Sequence, residues 1–448
     1  MKALLVLALL AAGCVAPASA PASAPAATFD IKPVGRDGGE PSLGVAKDGA
    51  IFYTGALVLS PEQALEAKSE AVQVLRSRDS GASWTPVGDA LRDPKVDGDP
   101  WLWLDPVTDR VYHAPLDIAC SWAEWSDDGG ESWDFNPAIA CAPPGHDHPK
   151  LVTGPPAQGV ATQGYPSVVY YAYNSLLVPD GGLPLPTTTR LGTLVAVSLD
   201  GGKSFGTPVV AHASDCHRGI VGPPAVAPDG TAFIPKGTCD GLDIITSRDS
   251  GQSWSVVSLN GEGALDDFAF DPGVAVDAAG VAYAVWPGRD ALLHLARSED
   301  GGRSWSAPEA ITPPGVTATV FSSIVAGAEG KVAIAYASTT RDPSGWPQRD
   351  SSVADDATMW NLHVAVIDHG RIATRDVTTD ADPLQRGCIW MRGGQDAPCR
   401  NLADFVTLTQ RDGRLYLAYT DGCDACADAK QSDARHLMLA VSRDAPLR

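Results

Sequence analysis

The sequence predicts an all-β protein, a β-propeller of four-stranded blades, on the basis of three observations. A short pattern, S-x-D-x-G-x-x-W with Phe as the last residue of one copy, occurs five times in 448 residues. Pairs of β-rich segments joined by tight polar turns recur between these copies. Gly and Pro number 45 and 36, enough for many turns, whereas apolar segments with helical spacing are few. Recurring units of this size pack against one another to bury a shared core.

Each copy of the repeated pattern predicts a structural hairpin turn. Its Asp can accept hydrogen bonds from amides of the same turn, and its Gly permits the positive φ that a tight hairpin requires. Its aromatic residue can then pack on the sheet. We therefore expect none of these residues in a functional site. The five copies span residues 77–84, 126–133, 198–205, 247–254 and 298–305.

This pattern resembles the Asp box, or BNR repeat, of sialidase-like β-propellers, and the five segments are called Asp-box turns here. The resemblance covers nearly the whole chain after its N-terminal segment. It implies a propeller fold and a relationship to the sialidases, which are glycoside hydrolases. Because it rests on structural motifs, it does not by itself assign a function to this chain.

The β-rich pairs divide the chain into units that start near residues 40, 99, 148, 222, 271, 321 and 404, about 60 residues apiece. The last unit ends at Ser442-Arg443-Asp444, where an Asp-box turn would begin, so its fourth strand is missing. The segment 29–34 is similar to the outer strands of the other units. We predict seven blades, with the N-terminal strand completing the seventh and closing the ring. Six blades, the number of the sialidase rings, is the alternative.

The first 27 residues predict export from the cell. Lys2 and the apolar residues 3–12 form a signal sequence. Ala11-Ala12-Gly13-Cys14 resembles the bacterial lipoprotein box, which implies that Cys14 is lipidated. We therefore assign residues 1–14 to the signal peptide and lipobox cysteine, 15–27 to a Pro/Ala/Ser tether and 28–448 to one propeller domain. An ordinary cleaved signal is the alternative. The predicted location is the bacterial cell envelope, on the outer membrane or cell surface through the lipid anchor, or else the periplasm or the medium.

The remaining cysteines support export because they are even in number and fall as close neighbours. Nearest-neighbour pairing is a hypothesis in which each disulfide would hold one local loop. The C-x-x-C of the last pair has a redox or metal motif as its alternative. The candidate pairs are Cys120 with Cys141, Cys216 with Cys239, Cys388 with Cys399, and Cys423 with Cys426.

The charge balance limits the classes of partner. The formal net charge is −21, from 33 basic and 54 acidic residues, and no basic patch stands out. Nucleic acid and anionic membrane surfaces are therefore not expected as partners. We expect a carbohydrate or a cell-envelope protein as the ligand, contact with the membrane only through the lipid anchor, and a monomer.

The innermost strands predict a ring of polar residues at the mouth of the central channel. Equivalent positions of a propeller converge on its axis, and five of the seven first residues of these strands are acidic or His. An oxygen-rich ring of this kind suits Ca²⁺ or another hard cation, and the alternative is a ring of solvated carboxylates. The five ring candidates are Glu40, Asp99, His148, Asp271 and Asp404, and the other two positions are Val221 and Phe321.

The same face is expected to carry the long loops, because the tight turns occupy the other face. Long structured loops on one face usually carry function. The loops span residues 55–71, 173–191, 338–360, 380–401 and 421–436. The segment His146-Asp147-His148, with His217, is a further candidate for a transition-metal site, against a purely structural role.

The sialidase resemblance implies an arginine clamp for a substrate carboxylate. Arg36, Arg218 and Arg392 are the candidates. The family's Phe-Arg-Ile-Pro motif is absent, and no residue matches its nucleophile, so the catalytic residues stay unassigned. Two hypotheses follow: a propeller that binds glycan or protein ligands through its loop-rich face, and a glycoside hydrolase of exo-sialidase-like type.

Overall fold

The computed structural model describes residues 29–56, 74–87, 99–116, 121–141, 146–175, 192–213, 219–238, 241–260, 272–341, 358–387, 389, 402–423, 426 and 434–448. These residues form seven antiparallel sheets, as the sequence predicts, and each sheet is one blade of a propeller. Within these ranges no helix is long and apolar enough to cross a membrane.

The first three blades follow one another along the chain, each from its innermost to its outermost strand. Blade 1 contains β2 (Gly39–Val45), β3 (Ile51–Ala56), β4 (Leu75–Ser77) and β5 (Thr85–Pro86). Blade 2 contains β6 (Trp101–Leu104), β7 (Val111–Ala114), β8 (Ser121–Ser126) and β9 (Asp134–Ala140). Blade 3 contains β10 (His146–Gly154), β11 (Val168–Ser175), β12 (Gly192–Ser198) and β13 (Val209–His212).

The next three blades repeat this order, and the sixth has one additional short strand that pairs with its third. Blade 4 contains β14 (Ala225–Val226), β15 (Ala232–Thr238), β16 (Gly241–Ser247) and β17 (Ser255–Asn260). Blade 5 contains β18 (Gly273–Val276), β19 (Ala282–Pro287), β20 (Leu293–Ser298) and β21 (Glu309–Ala310). Blade 6 contains β22 (Ala318–Ala326), β23 (Lys331–Thr339), β24 (Met359–Asp368), β25 (Arg371–Asp376) and the additional β26 (Gln385–Arg386).

Blade 7 joins the two ends of the described chain. Its inner strands are β27 (Thr407–Arg411), β28 (Arg414–Asp421) and β29 (His436–Ser442), and its outermost strand is β1 (Phe29–Asp37). Strand β1 runs antiparallel to β29, with Phe29 opposite Ser442 and Pro33 opposite Met438. The predicted closure by the N-terminal strand is confirmed, and it pairs an edge of β29 that would otherwise be exposed.

The core lies between the blades. Buried apolar side chains form seven clusters in the described structure, one at each interface between neighbouring blades. The interface between blades 7 and 1, for example, contains Leu43, Tyr53 and Leu439. The first strands of the blades surround a central channel with a cavity of about 340 Å³, so the ring has an axis on which side chains from different blades can meet.

The Asp-box turns have the hydrogen bonds that their residue types predict. In the first turn Asp79 accepts bonds from the Ser83 amide at 2.8 Å and from the Ser83 hydroxyl at 2.6 Å, while Ser77 Oγ accepts one from the Gly81 amide at 2.8 Å. The serine amide bonds the Asp carboxylate at 2.9 Å in each of the other four turns. Hydrogen bonds from Ser132 lower the pKa of Asp128 to about 2.

These turns also attach each blade to the one before it. Gly130 of the second turn has φ 89°, and a Cβ there would lie 2.9 Å from Val87 Cγ2 of blade 1. Gly81 of the first turn has φ 84°, and a Cβ there would lie 2.5 Å from Leu439 Cδ2 of blade 7. The turn therefore needs glycine both for its backbone angle and for the close approach of the neighbouring blade.

Candidate functional site at the channel mouth

The tight turns and the starts of the inner strands lie on opposite faces of the ring. The first Asp-box turn contacts the β2–β3 turn, where Arg78 and Asp48 form an ion pair of 3.3 Å. At the other end of blade 1, Gly39 pairs with Ala56, so β2 starts where β3 ends. The start of an inner strand therefore lies beside the end of the second strand, from which the predicted long loops depart. These loops lie largely outside the described residues.

The first residues of the inner strands share one backbone geometry. Glu40, Asp99 and His148 have positive φ angles of 52°, 48° and 49°, and Phe321 has 59°. The first three each precede Pro, a position that disfavours helical angles, so the backbone there is strained. In blade 7 the positive φ belongs to Ala403, at 57°. The positive φ in blade 7 thus falls one residue before Asp404.

Four of the five predicted ring residues nevertheless come together. The Asp99 amide donates to Glu40 Oε2 at 2.6 Å, and the His148 amide donates to Asp99 Oδ2 at 3.3 Å. The His148 ring lies between two carboxylates, with Nδ1 4.0 Å from Asp99 Oδ1 and Nε2 3.9 Å from Asp404 Oδ2. Asp271 lies outside the described residues. We call Glu40, Asp99, His148 and Asp404 the mouth cluster.

Burial and mutual repulsion define the electrostatics of the mouth cluster. Glu40 is buried, and burial together with the neighbouring charges of Asp99 and Asp404 raises its pKa well above the usual value. Burial likewise raises the pKa of Asp147, with further contributions from the same two carboxylates. The mouth therefore holds carboxyl groups that retain protons more readily than ordinary Asp and Glu.

Two buried lysines near the cluster are not predicted by the sequence analysis. Lys150 Nζ lies 4.1 Å from the ring centroid of Phe405 and 4.7 Å from that of Trp101, as a cation–π contact. Lys236 donates to Asn174 Oδ1 at 3.1 Å and to the Gly219 carbonyl, and burial lowers its pKa to about 7. No pattern in the local sequence marks either lysine, because contacts with other blades bury them.

The two histidines of His146-Asp147-His148 do not converge on one site. His146 bonds Ser121 Oγ and packs on the Tyr173 ring, with centroids 4.2 Å apart, between blades 2 and 3. In the described structure, the group of side chains close enough to share a metal ion contains His148, Asp99 and Asp404, and not His146. His217 lies outside the described residues.

Only one of the three arginine candidates for the carboxylate clamp, Arg36, lies among the described residues. Arg36 lies on β1, the outermost strand of blade 7 and three strands from the innermost strand β27. The reason is the ring closure itself, because the N-terminal strand completes the blade at its outer edge. Arg218 and Arg392 lie outside the described residues.

The described residues include only three of the cysteines for which disulfides are predicted. Cys423 and Cys426 form a disulfide with a Cα–Cα distance of 5.1 Å, and Cys141 is disulfide-bonded. The other paired cysteines and Cys14 lie outside the described residues, so those pairings and the lipidation stay predictions.

Comparison with known proteins shows the class of fold. A polysaccharide lyase described as an ulvan lyase, bound to -[GlcA(1-4)Rha3S]-, matches with a TM-score of 0.50 at 11% identity, covering 91% of this chain and 94% of that one. The intramolecular trans-sialidase from Ruminococcus gnavus has a TM-score of 0.44 at 13% identity, with 96% and 99% covered. The α-L-arabinofuranosidase from Fusarium graminearum has 0.44 at 14% identity, with 69% and 91% covered.

At 11% identity, the likeness to the ulvan lyase shows the propeller fold alone. No protein-family profile matches the chain, and no curated protein sequence matches it.

Proposed function

We propose that this chain is an exported propeller of the cell envelope that binds a glycan at the channel mouth of its loop-rich face. The observation that carries the proposal is the mouth cluster, in which blades 1, 2, 3 and 7 each supply a buried polar side chain to one place on the axis. Buried carboxylates need hydrogen-bond donors, and sugar hydroxyls are neutral donors of suitable size. A recessed polar cluster of this kind suits a hydroxyl-bearing group that enters the mouth better than it suits a flat protein surface.

The charge of the mouth favours a neutral glycan over an acidic one. The carboxyl groups of Glu40, Asp99, Asp147 and Asp404 lie together at the mouth, with the lysines Lys150 and Lys236 near them. A sialic acid would bring a further carboxylate into this environment, where like charges repel. We therefore expect neutral oligosaccharides to bind and sialosides to bind more weakly.

Binding of the exported protein to an array of neutral and sialylated glycans tests the proposal. Asp99→Asn and Asp404→Asn keep the shape of the side chain and remove its charge, and each should weaken binding at least tenfold. Asp134→Asn is the matched control, because Asp134 is an exposed residue of the outer strand β9. Unchanged binding by both cluster variants, or strong binding of sialosides alone, would contradict the proposal.

A glycoside hydrolase is the second candidate, and the environment of Glu40 favours it. A carboxyl group whose pKa is raised by burial, next to a second carboxylate, is an arrangement that hydrolases use for a general acid. A panel of fluorogenic glycosides, with an α-sialoside among them, separates the two candidates. Turnover that Glu40→Gln abolishes in a folded protein would establish the hydrolase, whereas binding without turnover supports the first proposal.

The proposed location has a separate test. Cys14→Ser should remove incorporation of labelled fatty acid and release the protein from the membrane fraction of a bacterial host, since a single lipid-bearing cysteine provides the anchor. Equal labelling and fractionation of the variant and the wild type would rule out an anchor at this residue.

A further inference from the structure

We infer that Asp99, His148 and Asp404 form a binding site for a divalent transition-metal ion at the channel mouth. The inference rests on the proposed function in that it concerns the same mouth, where a bound ion would present open positions to the hydroxyl groups of a glycan. Binding of the ion itself needs no glycan, so the two can be tested apart.

The first argument is the spacing of the three side chains. One potential ligand atom from each lies within 4.8 Å of the other two. His148 Nδ1 lies 4.0 Å from Asp99 Oδ1, and His148 Nε2 lies 3.9 Å from Asp404 Oδ2; both separations are too long for hydrogen bonds. Ligand atoms of a tetrahedral zinc site are about 3.4 Å apart, as follows from bonds of about 2.1 Å. A single ion binds one ring nitrogen of His148, so rotation of the ring and of a carboxylate would have to close the three ligand atoms from within 4.8 Å to that spacing.

The second argument is a buried oxygen that has no hydrogen bond. Asp99 Oδ1 belongs to a side chain that is 6% exposed, and it lacks a hydrogen-bond partner in the structure as described. It faces His148, whereas the other oxygen of the same carboxylate accepts the His148 amide. Leaving a charged oxygen in such a place is unfavourable, and a metal ion between Asp99 and His148 would satisfy it.

The third argument is the rigidity of the ligand set. Asp99 lies two residues before β6 and His148 lies near the start of β10 in the adjacent blade, and the His148 amide ties the two backbones together through the Asp99 carboxylate at 3.3 Å. Asp404 approaches from blade 7 across the channel, and its side chain is the most exposed of the three, at 12%. Blades 2 and 3 thus hold Asp99 and His148 in place, and the cluster is open to solvent on the side of Asp404.

The donor types select the kind of ion. One imidazole with two carboxylates suits Zn²⁺ or Mn²⁺, with remaining positions open to water or a ligand. Ca²⁺, which the sequence alone suggests, takes six to eight oxygen ligands and has little affinity for imidazole. The presence of His148 at the centre of the cluster therefore favours a transition metal.

The test uses the purified exported protein after removal of metal with a chelator and dialysis. Zn²⁺ and Mn²⁺ are titrated in separate calorimetry experiments, and metal content is measured after gel filtration. We expect one ion per chain for at least one metal, and Ca²⁺ to bind more than tenfold more weakly. His148→Ala, Asp99→Asn and Asp404→Asn should each lower the affinity at least tenfold.

His369→Ala is the matched control, because His369 forms an exposed pair with Asp368 on the turn of blade 6 at the opposite face. Circular dichroism and thermal melts establish that each variant is folded. Substitution with Co²⁺ adds a readout in the folded wild type, since its visible absorption reports ligands directly. Less than one-tenth of an ion per chain, or equal affinity in His148→Ala and in the wild type, would overturn the inference.

Glycan binding measured with and without chelator separates this inference from the proposed function. Loss of glycan binding with the chelator, restored by the metal, supports both. Glycan binding that is insensitive to chelator but lost in Asp99→Asn, in a protein that takes up no metal, overturns the metal site and leaves the glycan site standing. Metal uptake without any glycan binding overturns the proposed function alone.

Discussion

Replacing Leu439 tests the closure of the ring, because this side chain sits where the last blade meets the first. It is fully buried on β29, between Ala418 of β28 and Lys32 of the N-terminal strand, and it contacts the Asp-box turn of blade 1 at Gly81. Leu439→Ala removes three carbon atoms from this interface. At about 0.8 kcal/mol for each buried group, the transfer free energy lost is about 2.4 kcal/mol.

The cavity left behind adds to this loss, since blades on both sides hold the interface open. We expect Leu439→Ala to lower the free energy of unfolding by about 3 to 4 kcal/mol. Urea unfolding followed by tryptophan fluorescence and by circular dichroism measures it, with coincident transitions expected. Ile372→Ala is the control, because Ile372 is 41% exposed on the outer strand β25 and should change stability by less than about 0.5 kcal/mol. A loss below about 1 kcal/mol for Leu439→Ala would refute the packing described for the closure.

Three further predictions concern stability. Asp128 has a pKa of about 2 in the folded state, below its unfolded value, so its contribution to the free energy of unfolding is complete above about pH 4 and is lost as the pH falls toward 2. Melting temperatures measured from pH 2 to 6 should fall less steeply with acid in Asp128→Asn than in the wild type, and an equal slope would contradict this. Lys236 has a folded pKa of about 7, below its unfolded value of about 10.4, so stability should rise from pH 7 to 10, and Lys236→Met should remove that rise in urea midpoints. Gly130→Ala should lower the free energy of unfolding by more than about 1 kcal/mol, because φ is 89° and the added Cβ would meet Val87, whereas a neutral effect would contradict the described turn.

Much of the fold is predictable from the sequence because its repeats carry their own local chemistry. The Asp-box turns and the polar turns mark the ends of strands, so counting them yields the blades. The interrupted turn at Ser442 predicts the missing strand, and the pairing of Phe29 with Ser442 confirms it. The resemblance to the six-bladed sialidases suggests six blades as the alternative, whereas the spacing of the units predicts the seven blades that the structure has.

The mouth cluster is predictable only in part. Glu40, Asp99 and His148 follow from the equivalence of the inner strands, since each precedes a proline at the same point of its blade. Asp404 is followed by Phe405 rather than proline, and the positive φ of blade 7 lies at Ala403. The Asp404 side chain lies 3.9 Å from His148 Nε2.

The positions of the two lysines and of Arg36 depend on contacts between blades, which an alignment of single strands does not contain. Lys150 and Lys236 are buried by contacts with other blades, and such contacts leave no pattern in the local sequence. Arg36 is close in sequence to Glu40, yet the chain crosses from the outermost strand of blade 7 to the innermost strand of blade 1 between them. Neighbours in the sequence therefore lie at different distances from the axis.

The most direct test of the central claim is the affinity of neutral oligosaccharides for the exported protein, measured by calorimetry beside the Asp99→Asn, Asp404→Asn double variant. We predict saturable binding by the wild type, weakened at least a hundredfold in the double variant and unchanged in Asp134→Asn. Equal affinity of the wild type and a folded double variant would place the binding site away from the channel mouth and contradict the account.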